Sequence, residues 1–384
     1  MKKNISLIIT TLLLVFFGSC GKKPATFTIT GEVPMSEFEG CPIYLGVLDN
    51  GDTIDSAMVK NGKFQFSGSI EKPMMGCIFA DSRQSGMQCT SILVLETGNI
   101  YINLITDSLS GTPLNDLYYQ TYTANFAASE LASIMESSLD DYYAAETPEE
   151  KDSARLRYER ADSAYQMHVI SISRKAFQEN SNNVLGAYAL SQVVEHDGIT
   201  FDSLDYILAH ASPAIADYQP LRKARTQLFH LANTSEGQHY ADVEGVDFAT
   251  GRNAKLSSLV DTNFTLIDFW ASWCSPCRQE INDNLNRLYE QYHDLGLNVI
   301  GIDVWDKKVD HKAAVEQLNI AYPQLVDTVG TAVEAYGITG VPTILLLDRK
   351  GIIVKRGLRG EDIEAAVRQA LNLDEEDNKS TDNK

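Results

Sequence analysis

The chain lacks any run of the ~20 apolar residues that a membrane-spanning helix requires; its most apolar stretch, Ile5 to Phe17, falls short of that length. It also lacks a basic excess. Against 32 Lys and Arg stand 52 Asp and Glu, a net charge of −20, which argues against nucleic-acid backbones and anionic membrane surfaces as partners. The acidic residues are spread along the sequence, with one denser patch at Asp374-Glu375-Glu376-Asp377. Cysteine is scarce, at six in 384 residues, and only Cys274 and Cys277 form a CxxC pair. No second CxxC, CxxH or HxxH accompanies them, so a four-ligand zinc site has too few ligands. No cofactor motif and no internal repeat stands out. Apolar and charged fractions are ordinary, and the length suits two or three domains at roughly 150 residues each.

What is present begins with Phe269-Trp270-Ala271-Ser272-Trp273-Cys274-Ser275-Pro276-Cys277-Arg278. It follows the apolar run Phe264-Thr265-Leu266-Ile267 and precedes a helical pattern. A spacing of three residues lets one helical turn bring two sulfurs into bonding distance. The first thiol then sits at a helix N-terminus, where free N–H groups favour the reactive thiolate.

Around residues 264–280 and 336–343 the chain resembles the thioredoxin superfamily, and most closely its TlpA/ResA-like thiol-disulfide oxidoreductases. Asp268 lies six residues before Cys274, where thioredoxins keep a buried carboxylate. Gly340-Val341-Pro342-Thr343 looks like the cis-proline segment that lies against the CxxC, and Glu280 matches an acidic residue of the ResA-like branch. That branch often carries Asn where Asp268 stands, so the chain mixes features of both groups. The resemblance covers roughly residues 240–372. It implies an α/β thioredoxin-like domain with a mixed sheet flanked by helices, related to the AhpC/TSA proteins, with the segment from His311 to Val326 as the family's insertion.

The remaining chain divides by pattern. Lys2 and Lys3, the apolar run and Phe17-Gly18-Ser19-Cys20 have the order of a signal peptide over residues 1–19. The closing cysteine makes it resemble a bacterial lipoprotein signal, with Cys20 lipidated and a linker over 20–25. Residues 26–105 read as a small antiparallel β-sandwich, with strand-like Phe27–Thr30, Ile43–Leu45 and Gly62–Gly68 and a hairpin turn at Asp49-Asn50-Gly51-Asp52. Residues 112–236 read as helical. Thr147-Pro148-Glu149-Glu150 is a capping box, Ser212-Pro213 and Gln219-Pro220 interrupt helices, and Tyr118, Tyr119, Tyr122, Tyr142 and Tyr143 are expected to fill a helical core. Residues 373–384 form an acidic tail expected to be disordered. Of the other cysteines, Cys77 and Cys89 flank a hairpin and are placed either to oppose each other across it or, with Cys41, to pack as small buried hydrophobes.

These features lead to a thiol-disulfide oxidoreductase of the cell envelope, lipid-anchored and facing the periplasm. It would reduce protein disulfides and draw electrons from a membrane dithiol donor. Cys274, at the exposed helix end, attacks; Cys277 resolves; Asp268 exchanges the Cys277 proton, with Glu280 as its rival. Cis Pro342, Val341 and an exposed Trp273 line the substrate surface, while Trp270 is core. The competing classes are a disulfide oxidase or isomerase, a thiol peroxidase and a non-catalytic redox-sensing lipoprotein. A peroxidase would carry a Pro-x-x-x-Thr run before its cysteine, and none precedes Cys274.

Overall fold

The computed structural model describes residues 25–82, 87–123, 125–196 and 198–373. The expected signal segment, Cys20 and the acidic tail past Leu373 therefore lie outside the described residues. The chain divides into two compact units. One runs to Ile172 and includes Asn183–Leu185; the other holds Ser173–Asn182 and the chain from Gly186 onward. The helical stretch 112–236 is thus shared between the two.

In the first unit, β1 (Ala25–Glu32), β2 (Pro42–Val47), β3 (Thr53–Met58) and β4 (Lys63–Ile70) are followed by β5 (Met74–Ser82), β6 (Met87–Leu95), β7 (Gly98–Asn103) and β8 (Ser108–Ser110). They form two four-stranded sheets, ordered β4-β1-β7-β8 and β3-β2-β5-β6. In β4, Phe64 and Phe66 are buried between exposed neighbours, the period-2 pattern of a half-buried strand. The expected antiparallel pairing holds with one departure, since β1 and β7 run parallel. Alternation along a strand fixes which face is apolar but not the direction of its neighbour. The turn from β2 to β3 falls at Asp49–Asp52, with Gly51 in the left-handed region at φ 75°. One expectation is corrected: Cys77 is opposite Ile92, and Cys89 is opposite Ala80. The hairpin register therefore sets the two cysteines three positions apart, and Cys41 and Cys77 are free thiols.

The helices are α1 (Pro113–Tyr118), α2 (Phe126–Ala144), α3 (Pro148–Glu179), α4 (Val184–His196), α5 (Phe201–His210), α6 (Pro213–Ala216) and α7 (Gln219–Asn233). The capping box forms: Glu150 N–H donates to Thr147 Oγ1 at 3.2 Å, and Thr147 N–H donates to Glu150 Oε2 at 3.1 Å. Pro213 and Pro220 sit in the first turns of α6 and α7, so they start helices where their missing N–H costs nothing. Tyr118 is buried as expected. Tyr142 and Tyr143 are 37% and 80% exposed, because almost every residue at the end of α2 faces solvent.

The second unit is built on β9 (Glu244–Asp247), β10 (Asn253–Lys255), β11 (Phe264–Trp270), α8 (Ser275–Glu280), α9 (Asn286–Tyr292), β12 (Leu297–Asp303) and α10 (Lys308–Gln317). It continues through β13 (Gln324–Val326), α11 (Thr331–Ala335), β14 (Thr343–Leu347), β15 (Ile353–Arg356) and α12 (Glu361–Ala370). The sheet order is β10-β9-β13-β12-β11-β14-β15, with β11, β12 and β13 parallel and the rest antiparallel. This is the expected mixed sheet, and β12 is buried at every position, as a strand covered on both faces must be. Along β11, Leu266 and Trp270 join the apolar layer that contains Cys274 and Cys277, while Ile267 and Phe269 join the opposite layer with Tyr336. The short strands β9, β10 and β13 were not anticipated, and α10 begins three residues ahead of His311. Among the described residues no helix is long and apolar enough to cross a membrane.

Candidate active site

Strand β11 ends at Trp270 and the chain turns into α8 through Ala271-Ser272-Trp273-Cys274. Cys274 is the N-cap and Cys277 lies one turn in, joined to it by a disulfide. The Cys277 N–H points at Cys274 Sγ from 3.1 Å. In the dithiol form that donor would favour a thiolate on Cys274 over one on Cys277. Cys274 occupies the helix end as expected, but it is not exposed. It is 4% accessible and Cys277 is fully buried, because the loop that carries Pro342 lies over the sulfurs.

That loop is the second part of the site. The Val341–Pro342 bond is cis, and the Val341 carbonyl oxygen is 3.6 Å from Cys274 Sγ. The loop is held from behind by Arg359, whose guanidinium donates to the carbonyls of Pro342 and Leu358. The next residue, Gly360, donates its N–H to Glu280 Oε1 at 2.9 Å, and Asn284 Nδ2 donates to Glu280 Oε2 at 2.7 Å. Both oxygens of Glu280 are therefore engaged, Oε1 by the start of α12 and Oε2 by Asn284 four residues on in the same helical segment.

Asp268 presents the opposite case. It is completely buried, and neither carboxyl oxygen has a hydrogen-bond partner. Burial pushes its pKa up to about 8, with the Glu280 charge adding to the rise and the Arg359 charge opposing it. By the alternation of β11, Asp268 turns to the same face as Leu266 and Trp270, the layer of Cys274 and Cys277. It is in register with Ile344, two residues past Pro342, and with Gly301 of β12. Gly301 is in turn beside Gln324 of β13, and a side chain at Gly301 would collide with the Gln324 amide. Glycine there lets Gln324 reach across to accept from Trp270 Nε1 at 2.9 Å.

The loop ahead of the cysteines is moored on its other side. Asp306 Oδ2 accepts from Ser272 N–H at 2.6 Å and Oδ1 from Ser272 Oγ at 2.9 Å. Trp273 is 62% exposed, as expected of a substrate-facing ring, and its Nε1 donates to the Trp305 carbonyl at 3.3 Å. Trp270 is core. Beneath it, His311 Nδ1 lies 3.2 Å from Asp303 Oδ2, both side chains buried. Burial lowers the His311 pKa and raises that of Asp303 to about 8. Cys274, Cys277, Asp268, Glu280, Val341 and Pro342 thus belong to one neighbourhood. Sequence reasoning missed Arg359, Asp306 and the Asp303–His311 pair. Arg359 had one local signal, an arginine within Gly357-Leu358-Arg359-Gly360 at a helix start.

Residues 237–356 match the AhpC/TSA family, and residues 27–118 match a domain of unknown function, DUF4369. Over 105 residues the chain is 29% identical to a thiol-disulfide oxidoreductase ResA of Bacillus thuringiensis, covering 27% of this chain and 60% of that protein. Over 106 residues it is 30% identical to the ResA of Bacillus anthracis, covering 28% of this chain and 60% of that one. The chain spans about three-fifths of the length of the curated relatives it matches. Among solved structures it is similar to the thioredoxin domain of a thiol-disulfide oxidoreductase from Bacteroides vulgatus. Identity there is 30%, coverage 35% of this chain and 96% of that chain, and the TM-score 0.33. The C-terminal domain is a thioredoxin-like domain of the AhpC/TSA kind.

Proposed function

We propose that the chain is a thiol-disulfide oxidoreductase of the cell envelope that reduces disulfides in other proteins through Cys274 and Cys277. The observation that carries this reading is the Cys274–Cys277 disulfide at the strand-to-helix turn, covered by the cis Val341–Pro342 loop, with unpartnered Asp268 in the same buried layer. In the reduced protein the Cys274 thiolate attacks one sulfur of a client disulfide. A mixed disulfide forms, and the other client sulfur leaves as a thiolate and takes a proton from solvent. Asp268, as carboxylate, accepts the proton of Cys277. The Cys277 thiolate then attacks Cys274 Sγ, the second client sulfur departs and is protonated, and the Cys274–Cys277 disulfide is left behind. Two electrons have passed to the client, so each further turnover needs a dithiol donor, which we assign to the membrane.

Trp273 and the Val341–Pro342 ridge flank the sulfurs and form the client-facing surface. Glu280, with both oxygens engaged, serves to hold α8 against α12 rather than to move protons. Cys20 is the lipid anchor in this reading, and the protein faces the periplasm. The test is trapping. Cys277→Ser should accumulate client mixed disulfides that dissolve on reduction, and Cys274→Ser should accumulate none. The reversed pattern on non-reducing gels would overturn the assignment. Cys20→Ala should release the protein from the membrane fraction, and its retention after a salt wash would remove the lipid anchor from the proposal.

A further inference from the structure

In the layer that holds the disulfide, Asp268 is not the only buried group without a partner. Tyr322 is 3% exposed, and its hydroxyl also makes no hydrogen bond. Tyr322 stands two residues before Gln324, which is in register with Gly301, itself in register with Asp268. Tyr322 itself lies in the bend ahead of β13, and it packs in the same apolar cluster as Leu266, Trp270 and Cys277. The phenol and the carboxyl therefore enter one buried layer from neighbouring chain segments. The ring meets Tyr289 edge-on, with centroids 5.8 Å apart, a contact that phenylalanine would make equally well. Phenylalanine would also leave no polar atom buried without a partner, so packing does not account for the hydroxyl.

We propose that Tyr322 is a positioning residue for Asp268. Its hydroxyl donates, directly or through a single water, to the carboxylate that forms when Asp268 releases its proton, and so sets the pH at which Asp268 can receive the proton of Cys277. The inference rests on the oxidoreductase reading and deepens it by naming a residue that acts through Asp268. Two charges bear on Asp268, Arg359 ahead of α12 favouring the carboxylate and Glu280 on α8 disfavouring it, and the Asp268 charge in turn bears on Tyr322. Burial and the Asp268 charge hold the Tyr322 proton well above the usual phenol range, so the hydroxyl remains a donor at every pH at which the site works. A hydrogen bond to the charged form lowers a carboxyl pKa, so its loss must raise it further.

The experiment follows the second step directly. Reduced full-length protein is mixed with a thionitrobenzoate disulfide, and release of the Cys274-bound thionitrobenzoate by Cys277 is timed from acid to alkaline pH. Tyr322→Phe should move the inflection up by about one pH unit, slowing release about tenfold below it and leaving the alkaline rate unchanged. In an Asp268→Asn background, adding Tyr322→Phe should change nothing further. An unshifted profile for Tyr322→Phe, or an equal loss at all pH values, overturns the role of Tyr322 while leaving Asp268 in place. Failure of Asp268→Asn to alter the profile overturns Asp268 as the proton acceptor, and the role of Tyr322 with it. Failure of the unmodified protein to form or release the mixed disulfide would instead strike the oxidoreductase reading itself.

Discussion

Two buried polar residues, one in each unit, are held in opposite ways. In the first, Asn115 is fully buried and satisfied. Its Oδ1 accepts from Val94 N–H at 2.8 Å, and its Nδ2 donates to the Val94 carbonyl at 2.8 Å and to Thr112 Oγ1 at 2.7 Å. Nearby Glu96 accepts from the N–H groups of Leu114 and Asn115. This network locks α1 to β6. In the second unit Asp268 is equally buried, and neither of its oxygens is matched. A satisfied buried group rigidifies a fold, whereas an unmatched one keeps a perturbed pKa available for chemistry. On that ground Asp268, unlike Asn115, is a candidate for chemistry without reference to the cysteines.

The comparison is broken most severely at Asn115. Asn115→Ala strands several buried partners and should destabilise the first unit by about 3 kcal/mol in chemical denaturation. The reduction potential of the Cys274–Cys277 couple should be unchanged. A potential that moves with Asn115 would mean that the satisfied network also serves the redox site.

Asp268→Asn should do the reverse. Release of the mixed disulfide should slow by roughly 10²-fold at pH 7, a typical loss for a proton acceptor, and recover as solvent base takes over at high pH. Stability should not suffer. Folded Asp268 keeps its proton up to about 8, while an unfolded Asp loses it near ~3.9. Between those values the unfolded state binds fewer protons, so the wild type loses stability as pH rises. The stability advantage of Asp268→Asn should therefore widen across that window and level off above it, as read from denaturation midpoints at several pH values. A variant less stable than wild type at alkaline pH would contradict the cost assigned to the buried carboxyl.

Glu280→Gln sharpens the contrast within the second unit. Glutamine can still accept from Gly360, so the effect on the release rate should stay within about threefold. Removing the Glu280 charge also eases ionisation of Asp268, so the inflection should shift slightly downward. A large loss near neutral pH that Asp268→Asn does not share would make Glu280 the proton carrier.

Much of the site was legible because its parts are local in sequence. The Cys274–Cys277 spacing, the Gly340-Val341-Pro342-Thr343 segment and the six-residue step from Asp268 to Cys274 each lie within one short stretch. Strand β11 opens on the run Phe264-Thr265-Leu266-Ile267, which is legible without its neighbours in the sheet. Strands β9, β10 and β13 have three or four residues, too few to show a period, and only their partners make them strands. Tyr322 and Asp306 escaped for a related reason. Tyr322 looks like an ordinary core tyrosine until β13 is placed beside β12, and Asp306 is a loop aspartate until Ser272 is found on it. The exposure of Cys274 was misjudged because the covering loop is 67 residues away in the chain.

The fixings of the turn into α8, Asp306 on Ser272 and the Trp305 carbonyl on Trp273, act on residues ahead of the first cysteine, whereas Ser275 and Pro276 between the thiols are both exposed. The dipeptide that most directly surrounds the sulfurs is thus outside the scaffold that holds them. It forms an interchangeable cassette, open to retuning by mutation or by design while the mount, the covering loop and Asp268 stay as they are.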